Sequence, residues 1–383
     1  MLFSEIANAV GITEYPDKLE EIYKSGGGVS NFDGSSIDEL DEKYSVIGEC
    51  KERVKECLEE IKKDAPLFEY TRVAAEYLTR VSQEEGYALK LPNTDKEYYT
   101  TLLMVMALPA AIEKYLERGF SIEEVKEIFV PFKSTINSVA DINAAGRYNW
   151  LRHYTSSVIF PTSLFVITPR IITPPVMLLK NKQGKYKILM MGGRFHRDGK
   201  NLGSSGYTDE EGAFDAAFAE DESSYTGHEV IDAKVMKEAS VLSKDEWTLV
   251  TKQGDGMAAL HIPRGADLSD EKMLKSFKEA IRLTKERYPD FNPKTVHCST
   301  WMLDPKLKEI LGNASKITGF INKFLEYPIK SNGQELFGFV FPKNLSYEEL
   351  PEGTSLQRKL KAMYINGETI NAHSGFIPGS EDW

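Results

Sequence analysis

The amino-acid sequence predicts an α+β fold, with a helical N-terminal domain over residues 1–145 and a mixed-sheet α/β domain over residues 146–383. Apolar residues recur at helix spacing through the first part of the chain. Runs that are rich in β-branched and aromatic residues begin only after Tyr148. Strand-like and helical segments then alternate toward the C-terminus, which is typical of helices packed on a sheet.

The helical pattern of the first domain is densest between residues 38 and 130. One helix is predicted over residues 102–120. Ser121 follows it, with Glu124 three residues later, and this spacing is that of a capping box at the start of the next helix. Pro131 is predicted to end that helix, because proline lacks the N–H group that a helix interior needs.

Two short polar segments of the second domain predict hairpin turns. Residues 181–184 and 253–256 both contain glycine and both lie between strand-like runs. The sheet is therefore predicted to be antiparallel where it begins. Residues 194–228 are rich in Gly, Ser, Asp and Glu and have few periodic apolar positions, so they are predicted to form a long surface loop.

Alternating elements follow in the last third of the chain. A strand is predicted over 257–262, a second over 295–303, a helix over 315–327, a last strand over 336–341 and a final helix over 356–364. Between the first two strands lies an amphipathic helix. Its predicted apolar face comprises Met273, Leu274, Phe277, Ala280, Ile281 and Thr284.

The formal net charge of −11 argues against nucleic acid as a partner, because the chain would repel a phosphate backbone and has no basic stripe. An anionic cofactor would need a local group of donors. No run approaches the ~18 apolar residues of a membrane helix, and the first residues lack the features of a signal peptide. We therefore expect a cytoplasmic protein without a membrane partner.

The sequence does not favour a metal site. Three cysteines are an odd and sparse set, for which neither disulfides nor a structural zinc site is expected. His196, Asp198 and His228 lie in the predicted surface loop, where scattered polar residues are ordinarily solvated. We predict no metal.

Several strings resemble a known family. Residues 254–265 and the string Cys-Ser-Thr-Trp-Met-Leu-Asp-Pro at 298–305 are similar to the C-terminal domain of a bacterial acyltransferase family related to the GNAT-type N-acetyltransferases. Residues 313–324 and 350–358 resemble the following helix and the closing motif of that domain. The resemblance covers roughly residues 230–378, and the helical first part looks like the N-terminal domain that accompanies it in such proteins.

The resemblance implies a GNAT-like fold that uses acyl-CoA or acetyl-CoA as a co-substrate and a small-molecule acceptor. In that fold a thioester enters between two splayed neighbouring strands, and the cofactor pyrophosphate lies on the N-terminus of the helix after the first of them. The residues so assigned to cofactor binding are Arg264, Gly265, Ser269 and Lys272. Acidic residues crowd the same helix start, namely Asp267, Asp270 and Glu271, with Lys275 as a further cation to offset them.

The resemblance also suggests catalytic residues. His261 ends the first splayed strand just before a proline, where an imidazole can take a proton at neutral pH. Ser299 is assigned with it as catalytic, and Trp301, on the same predicted strand face, as substrate-binding. Asp304 before Pro305 is read as a helix cap. The predicted reaction is direct attack of an amine or hydroxyl on the thioester.

Two alternatives remain open from the sequence. The first is cysteine-dependent acyl transfer or hydrolysis, in which Cys298 works with His261 or His297 and forms a covalent intermediate. The structural interpretation of Cys298 is that it packs in the core as a small hydrophobic residue and is not a nucleophile. The second is a non-catalytic ligand-binding protein on the same fold, since fold does not imply function.

Overall fold

The computed structural model describes residues 2–81 and 88–382 of the chain. It forms two compact units, Met1–Pro161 and Thr162–Trp383. The first unit is helical and the second contains the sheets, so the predicted α+β class is confirmed. Across the described residues, every helix is too short or too polar to cross a membrane.

The first unit is built from amphipathic helices with buried apolar faces. Its described helices are α1 (Phe3–Ala9), α2 (Asp17–Lys24), α3 (Gly34–Tyr44), α4 (Lys51–Ile61), α5 (Ala65–Arg80), α6 (Tyr99–Glu117), α7 (Ile122–Ser138) and α8 (Tyr148–Thr155), followed by a short strand β1 (Phe160–Pro161). The predicted capping box of Ser121 and Glu124 starts α7 and is confirmed. The predicted end at Pro131 is wrong. Phe132 and Ile136 beyond the proline are fully buried, and this packing offsets the cost of about 3 kcal/mol for a proline inside a helix.

The second unit contains two main sheets. Its strands are β2 (Val166–Ile171), β3 (Val176–Asn181), β4 (Tyr186–Met190), β5 (Arg194–Phe195), β6 (Phe214–Asp215), β7 (Ala219–Glu220), β8 (Ser224–Ile231), β9 (Lys234–Ser243), β10 (Trp247–Lys252), β11 (Gly256–His261), β12 (Thr295–Thr300), β13 (Leu325–Pro328) and β14 (His373–Phe376). Its helices are α9 (Asp270–Arg287), α10 (Lys306–Leu311), α11 (Lys316–Ile321) and α12 (Ser355–Ile365). The predicted helix over 356–364 is thereby confirmed as α12.

The first sheet contains five strands of the second unit, in the order β2, β11, β12, β14, β13. Strands β11 and β12 are parallel, with α9 between them in sequence, and the other neighbours are antiparallel. The second sheet is antiparallel in the order β10, β3, β4, β8, β7, and β9 also pairs with β8. The predicted hairpin at residues 181–184 joins β3 to β4 and is confirmed.

The second predicted hairpin, at residues 253–256, is wrong. Strand β10 pairs with β3, whereas β11 pairs with β2 and β12, so this turn carries the chain from one sheet to the other. Gly256 permits the crossing, because a Cβ atom there would lie 1.6 Å from the carbonyl oxygen of Phe291. In the sequence, glycine between two strand-like runs is also typical of a hairpin turn, which is why a hairpin was predicted here.

Two further predictions fail in the C-terminal part. The helix predicted over 315–327 ends at Ile321, and β13 begins at Leu325. No strand forms at 336–341, where Phe337 and Phe341 share a single bridge, and β14 is the last strand. Short apolar runs fit a helix face and a buried strand equally well, so periodicity alone does not separate them.

The first sheet has two different faces. Its inner face carries Met257, Ala259 and Phe376, which pack with Val176 and other residues of the second sheet. Successive strand residues point to opposite sides, so Leu260 and Cys298 lie on the other side, here called the helix face. Helix α9 packs on that face.

The predicted apolar stripe of α9 is confirmed at every position except one. Met273, Phe277, Ala280, Ile281 and Thr284 are buried, whereas Leu274 is 47% exposed. Leu274 lies at the edge of the stripe, where a leucine satisfies the periodic pattern without reaching the core.

This difference gives a stability test with a control on the same helix. Phe277→Ala should lower the free energy of unfolding by about 3 to 5 kcal/mol, because a 2% exposed ring leaves a cavity that the core fills only in part. Leu274→Ala should cost less than about 1 kcal/mol. Urea unfolding of both variants measures the contrast, and equal losses would contradict the assigned faces of α9.

Candidate active site

A gap opens between the two central parallel strands of the first sheet. Strands β11 and β12 pair from Met257 opposite Thr295 to Leu260 opposite Cys298. Beyond that point β11 continues to pair with β2 and β12 continues to pair with β14. The central strands therefore part while each remains attached to its outer neighbour.

His261 and Ser299 are the first residues beyond the last pair, one on each side of the gap. Strand alternation places both on the inner face, with Ala259 and His297 below them. The structure thus brings together the two residues that the sequence suggested as catalytic. The positions of His261 and Ser299 follow from the strand register, because the residues just before them, Leu260 and Cys298, are paired directly.

His261 is held by a neighbouring strand. Its Nε2 atom lies 2.9 Å from the hydroxyl oxygen of Thr168 on β2. Burial, and secondly the positive charge of Arg170, lowers the pKa of His261 to about 4. The imidazole is therefore neutral at pH 7 and able to accept a proton. Thr168 was not identified from sequence, because 93 residues separate it from His261.

Ser299 is exposed at the gap and contacts a buried polar cluster. Its Oγ atom lies 2.6 Å from Oγ of Ser374 on β14. Ser374 is paired with Tyr327 across β14 and β13, and the Tyr327 hydroxyl lies 2.8 Å from Nε2 of His297. Ser374 and Tyr327 were not identified from the sequence. Tyr327 had been assigned to a helix, and no local pattern links the strands that carry these residues.

Cys298 lies on the helix face, opposite both histidines. Its thiol is buried and contacts the carbonyl oxygen of Leu260 at 3.5 Å. Burial raises the pKa of Cys298 to about 12, so the thiol stays protonated at neutral pH. His261 and His297 point to the inner face and cannot serve it as a base. The geometry does not support the cysteine mechanism.

The loop after β11 leads to the start of α9. Gly265 lies in an exposed turn with φ of +80°, a conformation that favours glycine. The turn is closed by the amide of Ala266, which donates to the carbonyl of Pro263 at 3.2 Å. Arg264 is exposed in the same turn. Ser269 occupies the N-cap position of α9, and its side chain makes no capping hydrogen bond.

Lysines from two helices surround the start of α9. Asp267 accepts from Lys272 at 2.8 Å and from Lys316 at 2.6 Å, and these bonds lower the pKa of Asp267 to about 2. Lys323 lies 3.2 Å from Asp270. Lys316 on α11 and Lys323 just beyond it were not predicted, because they are more than 40 residues away from Asp267 in the sequence.

The second lysine of α9, Lys275, points elsewhere. Lys275 lies 3.9 Å from Glu279, one turn further along the helix. The acids at the start of α9 therefore face cations that come partly from a separate element. This changes the local charge balance in favour of an anion.

Trp301 does not share a strand face with Ser299, so that prediction is wrong. Strand β12 ends at Thr300, whose hydroxyl accepts from the amide of Met302 at 3.2 Å, and the 3₁₀ turn Trp301–Leu303 follows. Trp301 is buried in this turn. A threonine that bonds the backbone two residues on favours a turn over a strand.

Asp304 has the predicted capping role. One carboxylate oxygen accepts from the amide of Lys306 at 3.0 Å, and the other accepts from the amide of Asn371 at 2.7 Å. The same carboxylate therefore starts α10 and fixes the chain that leads into β14. The capping prediction is confirmed.

The three residues considered as metal ligands have other partners. His196 lies 3.0 Å from Asp209 and 3.2 Å from Asp198. Nδ1 of His228 lies 3.0 Å from the carbonyl oxygen of Met236. Within residues 2–81 and 88–382, no group of three or more His, Cys, Asp or Glu side chains could hold a metal ion.

Comparisons with known proteins agree with this architecture. Residues 196–377 match the family model of the GNAT-like C-terminal domain, and we identify this part of the chain as such a domain. No curated protein matches the chain.

Solved structures resemble the chain over nearly its full length. An acyltransferase in complex with decanoyl-CoA is 15% identical, with a TM-score of 0.61 and 99% of each chain covered. An acyltransferase in complex with decanoyl-CoA and teicoplanin is also 15% identical, with a TM-score of 0.60, covering 98% of this chain and 99% of that one. A mutant acyltransferase with octanoyl-CoA is 14% identical, with a TM-score of 0.59 and 99% of each chain covered. At such identities the likeness establishes a shared fold.

The buried histidine His297 predicts a pH-dependent stability. Burial, and secondly Arg170, lowers its pKa to about 3, below the value near ~6.5 of an unfolded chain. The unfolded state therefore binds more protons between these values, and the free energy of unfolding falls as the pH is lowered through this window. Between pH 7 and pH 5 the loss from His297 should be about 2 kcal/mol.

Urea unfolding at both pH values measures this loss. The difference between the two unfolding free energies should be smaller in His297→Gln than in the wild type. An identical difference in both proteins would show that His297 does not have a lowered pKa.

Proposed function

We propose that this protein is an acyl-CoA-dependent acyltransferase that moves an acyl group from a CoA thioester to an amine or hydroxyl of a small-molecule acceptor. The gap between β11 and β12 carries the proposal, because the pairing of these two central strands ends just before His261 and Ser299, while both strands stay paired with their outer neighbours. The GNAT-like domain and the similar acyltransferases with bound acyl-CoA support it. The neighbour with teicoplanin supports a small-molecule acceptor.

The pyrophosphate of CoA would lie at the N-terminus of α9. A helix start presents unpaired N–H groups and the positive end of its dipole, which together favour an anion. Gly265 and the uncommitted hydroxyl of Ser269 lie there, with Arg264 and Lys272 nearby. Lys316 adds a further positive charge at the same place.

The reacting groups would meet at the inner face of the gap. Neutral His261 is assigned as the base that takes the proton of the attacking amine or hydroxyl, and Thr168 holds its ring. Ser299 is assigned as a donor to the thioester carbonyl oxygen. The acceptor forms a new bond to the carbonyl carbon, the carbon–sulfur bond breaks, and CoA leaves as a thiolate that is then protonated.

His261→Gln tests the assigned base. Glutamine keeps a hydrogen-bonding side chain but cannot take the proton, so turnover should fall by about 10² or more. Isothermal calorimetry with acetyl-CoA and decanoyl-CoA should show unchanged affinity. Turnover is measured as free CoA thiol in the presence of a panel of primary amines.

Three results would count against these assignments. A wild-type protein that binds acyl-CoA but never consumes it would indicate a non-catalytic binding protein. A wild type that binds no acyl-CoA would remove the proposed function altogether. Near-normal turnover in His261→Gln, with a melting temperature lowered by several degrees, would make His261 a structural residue.

Cys298→Ser separates direct attack from the cysteine mechanism. Because the thiol is buried on the helix face with its pKa raised, serine should retain most of the turnover. The free energy of unfolding should fall by on the order of 1 kcal/mol, the usual size of a small core change. A folded variant without turnover, together with an acyl-enzyme trapped on the wild type, would establish Cys298 as the nucleophile.

A further inference from the structure

A small polar cavity lies at the start of helix α6 in the first unit. Its volume of about 130 Å³ is enough for several water molecules or one small ion. Three segments form its walls, namely the first turn of α6, residues 91–96 and residues 141–143. All of its lining residues belong to the first unit, whereas the gap between β11 and β12 belongs to the second. We call it the α6 cavity.

The start of α6 lacks a side-chain cap. Its N-cap residue, Tyr98, lies in the left-handed region with φ of +62°, and the Tyr98 side chain makes no capping hydrogen bond. The amide of Tyr98 donates to the carbonyl of Ala140 at 3.3 Å. Among the residues that the structure describes, the amides of Thr100 and Thr101 have no acceptor. Two N–H groups at the positive end of a 19-residue helix are therefore unsatisfied.

The hydroxyl of Thr100 is a further donor without a partner. Thr100 is 8% exposed and lines the α6 cavity. Within residues 2–81 and 88–382 its hydroxyl has no hydrogen-bond partner. Thr71 on the neighbouring helix shows the ordinary arrangement, because its buried hydroxyl donates to the carbonyl of Leu67 at 2.6 Å. A buried hydroxyl that lacks such a partner is costly, so the α6 cavity favours a ligand that accepts hydrogen bonds.

The charges around the α6 cavity limit the charge of that ligand. Lys96 and Asp141 line it. Lys96 lies 3.5 Å from Glu60 and 3.9 Å from Asp95. One carboxylate oxygen of Asp141 accepts from two amides of its own turn, at 2.9 and 3.0 Å. Because three carboxylates stand close to one ammonium group, a dianion such as phosphate would be repelled more strongly than a singly charged anion.

We infer that the α6 cavity binds a small monocarboxylate. One carboxylate oxygen accepts from the amide of Thr100 and the other from its hydroxyl, and Lys96 supplies a positive charge beside them. The ligand then takes the place of the missing cap. An aspartate has this role at the start of α5, where the Asp64 carboxylate accepts from the amide of Leu67 at 3.1 Å. This binding site is independent of the proposed acyl transfer.

An acetate titration of the full chain, labelled with ¹⁵N-threonine, tests the site by NMR. The amide signal of Thr100, assigned by its loss in Thr100→Val, should shift with saturation as sodium acetate replaces sodium chloride at constant ionic strength. Acetamide has the same shape without the charge and should leave the signal in place. Phosphate should bind more weakly than acetate.

Thr100→Val removes the unpartnered hydroxyl and keeps the shape of the side chain. It should weaken acetate binding by about 10-fold or more, as read from the Thr101 amide. Thr101→Val is the matched control, because the Thr101 hydroxyl is also buried and unpartnered but does not line the α6 cavity. Its affinity for acetate, read from the Thr100 amide, should stay within about twofold of the wild type.

Three results would overturn the inference. A Thr100 signal that acetate does not shift with saturation would show that the α6 cavity holds water only. Tighter binding of phosphate than of acetate, or equal binding of acetamide, would exclude a monocarboxylate as the preferred ligand. Equal acetate affinities in Thr100→Val and Thr101→Val would remove the role of the Thr100 hydroxyl. None of these measurements requires acyl-CoA, so the proposed function does not affect their outcome.

Discussion

The candidate site depends on where two parallel strands stop pairing. Strands in the middle of a sheet ordinarily use all their backbone hydrogen-bonding groups, because unpaired buried groups are costly. Here β11 and β12 part after Leu260 and Cys298, but β2 and β14 continue to hold their outer edges. The ladder between the two central strands therefore ends while both outer ladders continue past it.

The same sheet gives the two sides of the gap different chemistry. The helix face presents apolar groups such as Leu260 and the protonated thiol of Cys298. The inner face presents His261, Ser299 and the hydrogen-bonded residues behind Ser299. Because side chains alternate along a strand, a shift of one residue in the pairing would exchange these faces. Register therefore decides which nucleophile or base could reach a thioester.

The sequence allowed the broad architecture and part of the site to be predicted. Periodicity predicted the helical character of the first unit between residues 38 and 130, but it did not identify α1, α2 or α8. The predicted strand, helix and strand that contain His261, α9 and Ser299 are all present. The resemblance of residues 298–305 to a known motif led to Ser299, yet Trp301 failed because a turn begins at Thr300. Side chains from distant strands, such as Thr168 and Tyr327, could not be predicted. Their proximity arises from strand order, which no local pattern records.

The charge at the start of α9 shows how an acidic chain can still receive an anion. Acidic residues in the first turn stabilise the helix through its dipole, but they would repel a pyrophosphate if they stood alone. Lys272 and Lys316 already hold Asp267 in ion pairs at the surface. Such exposed pairs are weak, so their ammonium groups can turn toward a second anion at little cost. In the proposed complex the phosphates would share these lysines with Asp267. The net charge of −11 would not prevent binding, because salt at about 0.1 M screens the repulsion from charges that lie more than about 10 Å away.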